Sequence, residues 1–168
     1  GTIKSNNLKR NDTANSDYEL LFLLFKHIDF ENYQTFYDIG CGKGAIYSLF
    51  KYLNLLQSIN YCGIEANTSV FKKYLKSKSE YFFNCDALKY SYSTNSIFYL
   101  FNPFDLNTVL KFVQLIPDKS LLITYNITKI NNNIINNISI ITSKEDRNLN
   151  ILIDIWKNKI FPKNNNIK

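Results

Sequence analysis

Three glycines at alternate positions, Gly40, Gly42 and Gly44, end the apolar run Phe36-Tyr37-Asp38-Ile39, and a helix-compatible segment, Ala45 to Leu56, follows at once. Strand, tight turn and helix in that order commit the chain to a β-α unit. Without a Cβ, glycine takes positive φ at little cost and lets the backbone approach a ligand closely. A helix starting at the same place aims unpaired N–H groups at it. Such a turn serves a nucleotide-like cofactor, unless it is only a sharp bend between two elements.

Two cofactor classes fit. The dinucleotide pattern G-x-G-x-x-G or A is met by Gly40-Cys41-Gly42-Lys43-Gly44-Ala45. Asp38 points the other way: a carboxylate at the strand end repels a pyrophosphate and attracts the ammonium of an amino-acid moiety. Asp38-x-Gly40-x-Gly42-x-Gly44 closely resembles the first motif of class I S-adenosylmethionine-dependent methyltransferases. The resemblance implies an α/β, Rossmann-like fold, with a seven-stranded, mostly parallel sheet, an antiparallel C-terminal strand and helices on both faces. It also implies S-adenosyl-L-methionine as cofactor, with Asp38, Gly40, Cys41, Gly42 and Gly44 around it.

A chain of 168 residues is long enough for one domain with a substantial core. That domain is expected over 16–160, after a polar segment 1–15 and before a polar tail 161–168. Hydrophobic residues at 45% argue against disorder, and no apolar run approaches the roughly 20 residues of a membrane span. The first residues lack the apolar core of a signal peptide, which points to the cytoplasm. Cys41, Cys62 and Cys85 have no C-x-x-C spacing and read as buried small residues in a reducing compartment. The single histidine, His27, lies in an apolar stretch, so a metal cluster or serine-type triad has almost no material. Lys72, Lys73, Lys76 and Lys78 form the densest basic group, either a solvated helix face or a phosphate-binding stripe.

Further motifs follow at strand ends. Ser16 and Glu19 have the spacing of a capping box, predicting a helix from about Asp17 to Ile28. By the family resemblance, Thr13 to Tyr18 would wall the cofactor site, unless the helix only covers one face of the sheet. The strand Tyr61 to Glu65 ends in an acid one β-α unit after the glycine turn, and Gly63-Ile64-Glu65-Ala66-Asn67 looks like the second methyltransferase motif. Glu65 would accept from the ribose hydroxyls, beside Ala66. Thr68 and Ser69 can cap a helix to Lys76, and Glu80 to Leu88 reads as a third strand. There Asp86 resembles the residue that accepts the adenine amino group, with the Ala87 backbone beside it; capping of a short turn through Lys89 is the competing use.

The continuous apolar run Ser96 to Phe101 reads as a central parallel strand. It ends in Asn102-Pro103-Phe104-Asp105, a partial match to the Asn-or-Asp, Pro, Pro, aromatic turn of methyltransferases that modify amino groups. Phe104 stands at the second Pro and Asp105 at the aromatic position. By that resemblance Asn102, also near the cofactor, and the Pro103 carbonyl would orient the nucleophile; a Pro-containing turn that merely ends the strand is the competing reading. Phe104 would border the substrate, and Asp105 is a candidate proton acceptor. A helix Leu106 to Ile116, a strand Ser120 to Asn126 and a hairpin of 138–142 with 150–156 complete the expected order, the last strand being inserted.

Direct methyl transfer to a nitrogen of a macromolecule, protein or nucleic acid, is the reading this supports. A small-molecule methyltransferase, a non-catalytic S-adenosylmethionine-binding subunit and a nicotinamide-dependent oxidoreductase are the alternatives. With few residues left for a recognition domain, the acceptor would be selected by 1–18, the loop after Phe101, the Asn131 region or a partner chain.

Overall fold

Five short apolar segments become parallel strands in the computed structural model, which describes residues 18–26, 28–101, 104–117, 119–125 and 138–142. They are β1 (Thr35–Ile39), β2 (Asn60–Ile64), β3 (Phe82–Phe83), β4 (Ile97–Phe101) and β5 (Leu121–Tyr125). A sixth, β6 (Ile138–Thr142), runs antiparallel beside β5, and the order is β3-β2-β1-β4-β5-β6. β1 lies between β2 and β4, with Ile39 beside both Ile64 and Leu100. The chain winds from β1 out to β3 and then crosses back to β4. The order therefore reverses between β1 and β4, the place where open α/β sheets hold ligands.

Side chains alternate along these strands, so each strand feeds two cores. On one face Phe36, Tyr61, Ile97 and Tyr99 pack against α1 (Tyr18–Phe25) and α2 (Ala45–Tyr52) through Leu24, Phe25, Ile46 and Phe50. On the other, Tyr37, Ile39, Phe98 and Leu100 meet Val109 and Phe112 of α4 (Leu106–Val113). In β4, Ile97 to Leu100 are all buried, as the unbroken apolar run predicts for a strand covered on both sides. The first core is aromatic: Phe36 and Phe50 lie 4.7 Å apart at their centroids, and Phe25 meets Phe50 edge-on at 5.5 Å.

Several elements are shorter than expected. The third strand is only Phe82–Phe83, because Asn84 and Asp86 spend their side chains on turns. α2 stops at Tyr52; Asn54 takes a left-handed φ of 59°, and Leu55–Gln57 forms a separate 3-10 turn. The helix after β2 is α3 (Thr68–Val70), which continues as a π turn, Phe71–Leu75, and a 3-10 turn, Lys76–Lys78. Its cap is Asn67, not Thr68 or Ser69: the Asn67 Oδ1 accepts from the N–H groups of Ser69 and Val70. Segments 1–17, 150–156 and 161–168, and His27, lie outside the described residues. β6, the first strand of the expected hairpin, is the one that pairs with β5.

Candidate functional site at the glycine turn

The turn after β1 has the geometry its glycines permit. Gly40, Gly42 and Gly44 take φ of 71°, 56° and 79°, a left-handed region that costs other residues roughly 1–2 kcal/mol each. The Gly40 and Cys41 N–H groups both donate to the Ile64 carbonyl, at 2.8 and 3.1 Å, which fastens the turn to the end of β2. α2 begins directly after Gly44, and the Tyr18 hydroxyl reaches the Ala45 carbonyl at 3.4 Å, so the start of α1 stands beside that helix start. Thr13 to Asp17 lie outside the described residues.

Asp38 is 3% exposed, and the Tyr61 hydroxyl donates to its Oδ2 at 2.6 Å. Burial raises its pKa from 3.8 to about 7; the phenol's hydrogen bond opposes the rise and the charge of Glu65 adds to it. The groups that bear on its charge are thus a phenol and a second acid, with no lysine or arginine among them.

Glu65 is 6% exposed and ties the motifs together. Its Oε2 accepts from the Gly42 N–H at 3.0 Å and its Oε1 from the Asn67 N–H at 2.6 Å. Asn84 holds the same stretch from the side, donating to the Glu65 carbonyl at 2.8 Å and accepting from the Thr68 hydroxyl at 3.0 Å. A carboxylate offers about four acceptor positions, so these backbone contacts and a ribose diol are not mutually exclusive. Ala66, half-buried, follows at the same edge.

Asp86 caps the 3-10 turn Ala87–Lys89, its Oδ1 accepting from the Leu88 N–H at 2.9 Å. The buried Ala87 gives its carbonyl to the Tyr92 hydroxyl at 2.7 Å. Asp105 caps α4 through the Thr108 N–H at 2.9 Å, and Phe104 leans on Phe112 with ring centroids 6.0 Å apart. Asn102 and Pro103 lie outside the described residues. Strand ends therefore bring Glu65 to the glycine turn by a hydrogen bond and set Asp38 where the charge of Glu65 bears on it, and the Phe101 strand end flanks β1 on its other side. Tyr61, Asn67 and Asn84 escaped the sequence reading. Only the β1–β2 register, which sets Phe36 against Tyr61 and Asp38 against Gly63, would have indicated Tyr61.

Among the described residues no group of three or more His, Cys, Asp or Glu is placed to hold a metal ion, and no helix is long and apolar enough to cross a membrane. No family model matches the chain, and no curated protein matches it in sequence. Solved structures do. The PH0226 protein from Pyrococcus horikoshii OT3 superposes with a TM-score of 0.50 at 16% identity, over 63% of this chain and 50% of that one. With the strand order, that superposition shows an open α/β, Rossmann-like fold. StiE O-MT aligns with a TM-score of 0.49 at 17% identity, over 63% of this chain and 42% of that one. YcgJ from Bacillus subtilis gives 0.48 at 17%, over 65% and 52%. The chain spans about half the length of these structures. At such identities the likeness of this Rossmann-like fold to its neighbours is one of architecture.

Proposed function

We propose that the chain binds S-adenosyl-L-methionine at the β1 turn and transfers its methyl group to a nitrogen of a macromolecule. The observation that carries this reading is the pair of buried acids, Asp38 and Glu65, at a turn of three left-handed glycines. Two acids beside one glycine turn favour a cationic ligand and oppose a pyrophosphate, which supports the sulfonium cofactor over NAD.

When bound, the cofactor supplies a methyl carbon made electrophilic by the sulfonium. Asp38 would hold its ammonium and Glu65 its ribose hydroxyls. Asp86 and the Ala87 backbone would meet the adenine edge, and Gly40, Cys41, Gly42, Gly44 and Ala66 would line the floor. Asn102 and the Pro103 carbonyl would orient the acceptor, with Phe104 at its border and Asp105 fixing the start of α4 beside them. Transfer of this kind depends on alignment and near contact. Asn102 and the Pro103 carbonyl would hold the acceptor lone pair in line with the methyl carbon, and the acceptor's proton would leave to solvent. Residues 150–156 are proposed as a seventh strand completing a domain over 16–160. The unpaired thiols of Cys41, Cys62 and Cys85 suit the cytoplasm. A partner chain is the further proposed source of acceptor selectivity.

Calorimetric titration with S-adenosylhomocysteine, beside an NAD control, tests the cofactor. Micromolar binding, about −8 kcal/mol, is expected. Preference for NAD would overturn it. Tritiated methyl transfer onto protein, nucleic-acid and small-amine pools then separates the acceptors, and binding with no transfer to any pool would make the chain a cofactor-binding subunit.

A further inference from the structure

Between residues 39 and 79 the chain has six lysines, Lys43, Lys51, Lys72, Lys73, Lys76 and Lys78, no arginine, and one acid. That acid, Glu65, is buried and held by two backbone N–H groups. This quarter of the chain thus holds nearly all of its net charge of +6. The fold puts the helical parts of this stretch on one side: α2 and the α3 segment both pack on the same face of the sheet, where Tyr47, Phe50 and Leu75 share a core. Cations link the α3 segment to the glycine turn and to α2. The Lys43 ammonium, from the glycine turn, lies 5.4 Å from the centre of the Tyr74 ring, and that of Lys73 lies 5.2 Å from the same ring. Lys78 reaches across to Tyr47 of α2 at 5.5 Å. Five of the six lysines are exposed, Lys43 is half-buried, and Glu80 marks the patch's edge.

We infer that this face binds the phosphate backbone of a single-stranded nucleic acid. Lysines on flexible stems act as point charges that follow a phosphate chain without demanding a particular geometry. Tyr52, 82% exposed at the end of α2, gives the same face an aromatic surface on which a base can stack. A membrane surface fits less well. Of the large apolar side chains exposed among the described residues, Tyr18, Tyr52, Phe83 and Leu115, only Tyr52 belongs to these two segments, so there is no apolar band to insert. Because Lys43 lies within the glycine turn, the patch leads to the proposed cofactor crevice. The inference narrows the macromolecular acceptor to nucleic acid and rests on the proposed function for its purpose, though not for the binding.

The test is fluorescence anisotropy of a labelled single-stranded oligonucleotide of mixed sequence with the full chain, against two charge-matched double variants. Lys72→Glu/Lys76→Glu alters the patch; Lys89→Glu/Lys111→Glu alters exposed lysines on the segments packed against the opposite face. Wild type should bind with a log–log salt slope of about −3 to −4, as four to six phosphate contacts require. The patch variant should lose about tenfold or more and the control variant much less, with both melting like wild type. Absence of salt-dependent binding, equal loss in both variants, or tighter binding to phosphatidylserine vesicles than to the oligonucleotide would overturn the inference. Tritium counting separates it from the methyl-transfer reading. Patch-dependent binding without transfer supports the surface and counts against the enzyme; transfer to protein alone, without oligonucleotide binding, counts against the surface only.

Discussion

The Tyr61 hydroxyl donates to Asp38 Oδ2 at 2.6 Å across two adjacent strands, and both side chains are shut away from water. Burial raises the Asp38 pKa from 3.8 to about 7, so the folded chain holds a proton that the unfolded chain releases. The stabilisation is therefore fully present below about pH 4 and is lost as pH rises towards about 7, a change on the order of 4 kcal/mol. Asp38→Asn removes this titration. Its melting temperature should match wild type near about pH 4 and exceed it near about pH 8, while its affinity for S-adenosylhomocysteine falls by about tenfold or more. Thermal melts followed by circular dichroism across that range, with calorimetry, decide the matter; a constant offset between the two melting profiles would rule out Asp38 as the titrating group.

Tyr61→Phe acts on the same carboxyl from the other side. Removing a hydrogen bond that favours the charged form pushes the Asp38 pKa above about 7. If Asp38 holds the ligand ammonium, the pH midpoint at which S-adenosylhomocysteine binding strengthens should move upward in this variant. Affinity at high pH should recover towards wild type. A loss of affinity that is equal at every pH would mean that Tyr61 acts through packing alone.

Gly63 faces Asp38 in the neighbouring strand, and a Cβ built there would lie 2.5 Å from Phe82 Cδ1 and 3.0 Å from Cys41 Sγ. Phe82 is 1% exposed and wedged against Tyr47 and Tyr61, so it has nowhere to move. Gly63→Ala should cost about 1–3 kcal/mol. At roughly 2–4 °C per kcal/mol, that is a clear drop in melting temperature. Adding Phe82→Leu should return part of it; simple additivity of the two losses would place the strain elsewhere.

Glu65→Gln exchanges one acceptor oxygen for an amide donor where two backbone N–H groups already point inward, those of Gly42 and Asn67. One of them is left facing a donor, which costs about 1–3 kcal/mol. The glycine turn should loosen, seen as faster amide exchange at Gly42, and S-adenosylhomocysteine should bind at least about tenfold more weakly. Exchange at Gly42 that stays at the wild-type rate would show that the turn holds its shape without this contact.

Asp105 accepts the Thr108 N–H at the start of α4. Asn serves as well as Asp at such a cap, whereas Ala costs about 1 kcal/mol. Asp105→Asn should therefore keep both stability and methyl transfer near wild type, and Asp105→Ala should lose stability. A stable Asp105→Asn protein with transfer reduced about a hundredfold would instead make Asp105 a proton acceptor.

The order of strands and helices could be read along the chain because each signal is local. Alternation, an unbroken apolar run or a glycine triplet is set by neighbours a few residues away, as with Gly40, Gly42 and Gly44, and with the buried run in β4. The third strand was read too long because Asn84 and Asp86 look like strand-end residues until their side chains find turn N–H and carbonyl groups.

By itself, then, the amino-acid sequence determined that a strand, a left-handed glycine turn and a helix would follow one another, and that acids would stand at the ends of the first two strands. Tertiary structure alone decided what those acids do. The parallel register of β1 and β2 places Tyr61 within hydrogen-bond reach of Asp38, and the turn's fold brings the Gly42 N–H to Glu65. It also gathers six lysines from the glycine turn and two separate helical segments onto one face. Contacts between residues more than twenty positions apart depend on register and winding, and hydrogen bonding and desolvation act only once those are set.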